Sequence, residues 1–223
     1  MTQNHTAGTL LFKQLKTFNE SAVYFGQALE PALLEAIQDC FKDFCSSGKG
    51  WHGHFDLPNK YVCQLAPLDW LIEQDEEGTD EEEVSFLKQT HKAIIYIDCI
   101  ECNDDYWSAL FCGVGTTGGE IGFMFDCDGK AFGGKNAWKR CVKQATSQLD
   151  QLAKLSFKNQ GNGNFFLPVR LNTDALASTW EESGKFLKDD DCFQPVRDAL
   201  ECIAKAVPVF DALMNSCPVK ANK

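Results

Sequence analysis

Apolar residues recur at helical spacing over 31–47, where Leu33, Leu34, Ile37, Cys40, Phe41 and Phe44 share one face. Pro31 stands where a first-turn proline is tolerated and Gly48 supplies a stop, so this stretch predicts an amphipathic helix packed on a sheet. Between Ala93 and Lys130 the pattern changes to three short, nearly continuous apolar runs: 93–102, 106–114 and 121–125. The NDD and TTGG punctuation between them predicts an antiparallel meander covered on both faces.

A helix follows, with Trp138, Cys141, Val142, Ala145, Leu149 and Leu152 on one side and lysines opposite. Residues 158–164 form a flexible loop by composition. Phe165–Leu171 predicts one more strand, which Pro168 confines to an edge or a bulge. A short helix is expected over 173–182. A longer one begins near Gln194-Pro195, where Val196, Ala199, Leu200, Ile203, Val207 and Phe210 keep period and Pro208 is expected to kink or divide it.

Before the meander the pattern is weaker. Thr9–Phe12 and Ala22–Phe25 suggest short strands or irregular cover, 48–60 a loop, and Tyr61–Ala66 a strand ended by Pro67. A second helical piece is expected over 81–92, and 220–223 is a tail. No internal repeat and no linker interrupts the 223 residues, so the expected architecture is one α+β domain with a mainly antiparallel sheet.

Composition narrows the class of function. A content of 44% hydrophobic and 12% aromatic residues belongs to a folded protein. No run approaches the length of a spanning helix, and the N-terminus has no basic stretch followed by an apolar one, so a cytosolic protein without membrane attachment is expected. In that compartment the 11 cysteines would be thiols, with Cys40, Cys63, Cys112, Cys141 and Cys202 serving as small buried hydrophobes. The net charge of −11, with dispersed basic residues, disfavours direct nucleic-acid binding.

Each candidate motif has a plainer competitor. Gly113-Val-Gly115-Thr-Thr-Gly118 matches a dinucleotide fingerprint, but a β-rich run follows where a helix is required. Asp126-Cys-Asp128-Gly-Lys130, with Asp98 or Asp105 upstream, resembles the metal-binding element of restriction-type nucleases and would use Mg²⁺. Asp128-Gly129 is equally a turn signal. His52 and His54 lie on one side of a loop but lack further zinc ligands, and His5 and His91 have no catalytic setting. Cys99 and Cys102 have C-x-x-C spacing, but strand geometry would place them on opposite faces.

The acidic run between Glu73 and Glu83 is the one low-complexity segment. With Trp70 and Phe86 as exposed flanking anchors, its residues Glu73, Asp75, Glu76, Glu77, Asp80, Glu81, Glu82 and Glu83 offer a surface for a basic protein. The leading expectation is therefore an acidic, non-catalytic protein without cofactor that neutralises or regulates a basic protein partner, as an immunity or inhibitor protein does. The alternatives are a metal-dependent nuclease-like enzyme on Asp98, Asp126, Asp128 and Lys130, or a structural subunit of a larger complex. Oligomeric state is not legible.

Overall fold

The computed structural model describes residues 5–48, 50–72, 91–103 and 105–217. Its centre is a six-stranded sheet in the order β1-β2-β3-β4-β6-β5, antiparallel throughout. The strands are β1 (Trp51–Asp56), β2 (Val62–Pro67), β3 (Ala93–Ile100), β4 (Glu120–Cys127), β5 (Lys158–Asn159) and β6 (Phe165–Pro168). Together with the helices this is the expected α+β fold. Pro168 lies next to the last position of the sheet, beyond the two residues that β5 pairs, so its missing N–H costs no ladder bond.

Strand alternation sorts the sheet into two faces. One carries Phe55, Leu65, Ile95, Phe123, Phe125 and Phe165, and helices α3 (Glu30–Ser46) and α9 (Gln194–Asn215) pack on it. Phe41 of α3 meets Phe55 and Phe123 at ring-centroid distances of 6.4 and 5.3 Å. Phe210 of α9 lies flat on Phe125, centroids 4.0 Å apart and planes 2° from parallel. Its edges meet Phe157, Phe165 and Trp70. Helix α9 runs through Pro208 without dividing. Ile203, Ala206, Phe210 and Leu213 are all fully buried around the proline, and their packing outweighs the one lost backbone bond.

Four sequence expectations are corrected. Residues 106–114, expected to be the middle strand of a meander, form helix α5 (Trp107–Cys112), and β3 pairs directly with β4. The run WSALFC contains no β-branched residue, and a short apolar run fits a buried helix as well as a strand. Gly113, at φ 65°, caps that helix in the left-handed conformation instead of forming a hairpin. Residues 51–56, expected as loop, form edge strand β1. Its composition misleads because Gly53 is needed there: a Cβ at that position would lie 2.0 Å from the Phe55 ring. At the N-terminus, α1 (His5–Lys13) and α2 (Leu15–Tyr24) stand where short strands or irregular cover were expected, and a π-helical turn, Phe25–Leu29, joins them to α3.

The fourth correction concerns cysteine. Cys141, in helix α6 (Lys135–Gln144), is disulfide-bonded to Cys217 after α9, and Cys99 is bonded to Cys102. The second pair is possible because β3 stops at Ile100 and Glu101 turns the chain at φ 54°. The face alternation of an unbroken strand therefore does not apply. Cys40, Cys63, Cys112 and Cys202 are free thiols, the first two buried. Burial pushes Cys40 up to about 11, which disfavours the reactive thiolate.

Candidate functional site

Three segments distant in sequence enclose a cavity of about 500 Å³. The first wall is the π turn and the start of α3, contributing Phe25, Leu29 and Leu33. The second is α5, which presents Ala109 and Cys112. The third is helix α8 (Thr173–Ser183), with Leu176, Ala177 and Trp180 facing in, closed below by Phe186. The volume and apolar lining are those of a binding site.

Local chemistry holds each wall in place. Asn172 caps α8, its Oδ1 accepting from the backbone N–H groups of Asp174 and Ala175, both at 2.9 Å. Gly184 ends the helix in the left-handed conformation, and the Trp180 and Phe186 rings meet at 5.0 Å. Helix α5 is tied to the sheet by the Leu171 N–H, which donates to the Phe111 carbonyl at 2.7 Å. The loop after it is pinned by Asp105, whose carboxylate accepts from both the N–H and the hydroxyl of Thr116.

Two carboxylates stand in this mostly apolar lining, the exposed Glu181 and the buried Glu30. Glu30, only 5% exposed, extends from the first turn of α3, and its Oε1 accepts from Ser108 Oγ at 3.0 Å and Ser108 N–H at 3.2 Å. A buried carboxylate is tolerated because it accepts both Ser108 hydrogen bonds at the N-terminus of α5. Beside it, Tyr61 and Tyr106 border the same corner. The Tyr61 hydroxyl is pushed up by burial first, then by the charge of Glu30 and by Tyr106. No imidazole lines the cavity, so Ser108 has no relay of the kind that activates a serine nucleophile. The arrangement can accommodate an apolar group and presents the Glu30 and Glu181 carboxylates to it.

Comparison with protein-family models, curated proteins and solved structures yields no match. The site is therefore read from its own geometry.

The residues singled out from the sequence lie elsewhere. Trp70, expected as an exposed anchor, is fully buried, and its indole N–H donates to Asp211 at 2.8 Å. It ends a 3-10 turn that drops it beside Phe125 and Phe210, so it belongs to the core. Glu73, Asp75, Glu76, Glu77, Asp80, Glu81, Glu82, Glu83 and Phe86 lie outside the described residues, as does most of the helix expected over 81–92; its last two residues, His91 and Lys92, are not helical, and His91 bridges to Leu71.

The four residues of the nuclease-like alternative are not gathered. Asp98 stands opposite Gly122 and Asp126 opposite Ile94, so four strand residues, about 13 Å, separate them along the ladder. Asp128 caps the turn Gly129–Phe132, accepting from the Lys130 N–H at 2.9 Å. Among the described residues no group of three or more His, Cys, Asp or Glu side chains is placed to hold a metal ion. His91, expected to be without context, is buried against His52 with their ring nitrogens 3.1 Å apart.

Between the two aspartates, on the same face, stands Tyr96. Burial, then Asp126 and Asp98, push its hydroxyl up to about 12. The folded state therefore holds this proton beyond the pH at which an unfolded tyrosine releases it. Stability contributed by the protonated hydroxyl is complete below about pH 10 and is lost progressively as pH rises to about 12. Tyrosinate absorbance at 295 nm should show a component titrating near pH 12 in wild type, and that component missing from Tyr96→Phe. Unchanged curves would refute the assignment.

What sequence reasoning missed is the pocket. Its only local signals were Glu30 at a helix start and the apolar positions of 173–182. Reading 106–114 as a strand removed the wall that joins them.

Proposed function

We propose that this is an acidic, non-catalytic interaction protein that captures a basic amphipathic helix of a protein partner and thereby regulates it. The observation that carries the proposal is the cavity of about 500 Å³, apolar over most of its lining, with the carboxylates of Glu30 and Glu181 at its wall. Helix α8 supports it: Asp174, Glu181 and Glu182 are its only charged residues, and Glu181 reaches the cavity wall. Apolar side chains of a docked helix would fill the cavity, and its lysines or arginines would meet these carboxylates. This is helix-in-groove recognition. The whole-chain charge of −11 would steer such a partner in.

No helix among the described residues is long and apolar enough to cross a membrane. Two disulfides favour an oxidising compartment over the cytosol expected from the sequence.

The test uses two synthetic helical peptides, one of leucine and lysine and one of leucine and glutamate, followed by fluorescence anisotropy. The Leu/Lys peptide is expected to bind, more weakly as salt rises, and the Leu/Glu peptide to bind about tenfold or more less tightly. Ala177→Trp, which fills the cavity from an exposed helix position, should weaken Leu/Lys binding about tenfold. Equal affinity for both peptides, or indifference to Ala177→Trp, would overturn the proposal.

A further inference from the structure

We infer that residues 5–24 are a docking arm that seats in this cavity on a second copy of the chain, so that two protomers clasp each other reciprocally. The inference rests on the cavity being a receptor for a basic amphipathic helix.

The arm lacks what normally sustains a helix. No side chain of α1 or α2 is buried, and the two helices, nine and ten residues long, break at Gln14. A nine-residue helix such as α1 is marginal in water, and an exposed helical arm gains stability by burying an apolar face. Such a face exists. Seven of the thirteen large apolar side chains exposed among the described residues fall between Leu10 and Tyr24, which makes the arm the main exposed apolar patch. Leu15, Phe18, Ala22 and Phe25 follow the alternating three- and four-residue spacing of a helix-packing seam, and Phe25 already lines the cavity. The seam therefore leads from open solvent to the edge of the site.

Charge identifies the occupant. The arm carries Lys13 and Lys16 against a single Glu20, a net positive segment in a chain of net charge −11. The facing wall, α8, carries three carboxylates and no basic residue. This chain thus holds both halves of a complementary pair.

Its own arm cannot use its own cavity. From Leu15 to Ser46 the backbone is helical without interruption, and the π turn Phe25–Leu29 is itself a cavity wall. Folding back would need a reversing loop, and none exists between Tyr24 and Glu30. An arm roughly 30 Å long reaches outward instead, where a second copy supplies the receptor. A two-fold axis makes both contacts at once.

Sedimentation equilibrium of the full chain tests this, with Phe18→Glu on the exposed arm and Ala177→Arg at the cavity. Circular dichroism confirms that both variants remain folded. Wild type is expected to be a dimer, and each variant should raise the dimer Kd by about thirtyfold or more. Mixing the two variants should restore a dimer that neither forms alone, because the Ala177→Arg protomer keeps an intact arm and the Phe18→Glu protomer an intact cavity. A monomeric wild type, a dimer unmoved by either variant, or a mixture that stays monomeric would overturn the inference. So would Phe18-dependent sedimentation with anionic phospholipid vesicles in place of dimerisation, which would make the arm a membrane element.

The Leu/Lys peptide, titrated into Phe18→Glu, separates this inference from the reading beneath it. Peptide binding alongside a monomeric wild type leaves the cavity a helix receptor and removes the arm as its occupant. Failure of the peptide to bind there removes both.

Discussion

Replacing Phe210 with alanine is expected to lower the free energy of unfolding by about 4 kcal/mol, the middle of the range for truncating a buried aromatic. The side chain is fully buried and stacks on Phe125 at 4.0 Å, with Phe157, Phe165 and Trp70 around it. Those rings come from β4, β6, the segment before β5 and the turn after β2, so one truncation opens a void that four separate segments would have to fill. They cannot collapse together, because Phe125 and Phe165 are held by the ladder between β4 and β6, and Trp70 by its bond to Asp211. Aromatic contacts add about 0.5–1.5 kcal/mol beyond burial. Urea denaturation should show the loss as a lower midpoint at unchanged slope. Phe210→Leu, which keeps most of the volume, should cost clearly less. A loss below about 1 kcal/mol for the alanine variant would mean that the core repacks, contrary to its anchoring by the sheet.

The elements read correctly from the sequence are those whose pattern is set by burial in this same core. Helix α3, strands β3, β4 and β6, and helices α8 and α9 each show a period that matches a buried face. The failures have a common physical cause, which is that pattern reports burial and not backbone geometry. The stretch 106–114 is apolar because α5 is packed between the sheet and the cavity, and a short buried helix has no period of its own to display. The TLLF run of the N-terminal arm looks like a strand because its apolar residues serve no intramolecular core. Trp70 looked exposed beside an acidic run, but its partner Asp211 lies 141 residues away, and nothing local announces that bond. The cavity combines residues near 30, 110 and 176, each contributing too little to form a motif. Only the acidic half of the functional reading, the charge, was visible without the fold.

The disulfide between Cys141 and Cys217 is expected to supply the second large effect. The bond spans 76 positions of sequence and joins α6 to the end of α9, the helix that carries Phe210. Cross-linking so long a loop removes conformational freedom from the unfolded chain, worth about 4 kcal/mol on the loop-entropy scale and about 2–4 kcal/mol in typical measurements. The Cys99–Cys102 bond spans only three positions and constrains the unfolded chain far less. Reduction of wild type and the double substitution Cys141→Ser, Cys217→Ser should therefore lower stability by similar amounts, and reducing the double variant should add little. On a chain of this size each kcal/mol moves the melting temperature by roughly 2–4 °C, so reduction should shift it by about 4–16 °C. A double variant that loses as much on reduction as wild type does would transfer the effect to Cys99–Cys102. The C-terminal part of α9 is held by two different means: Phe210 and its neighbours pin it to the sheet through packing present only when folded, and the disulfide at Cys217 limits how far it departs when the chain unfolds. Phe210→Ala should accordingly cost nearly the same in reduced and oxidised protein, because a tether acting on the unfolded state leaves the packing term unchanged.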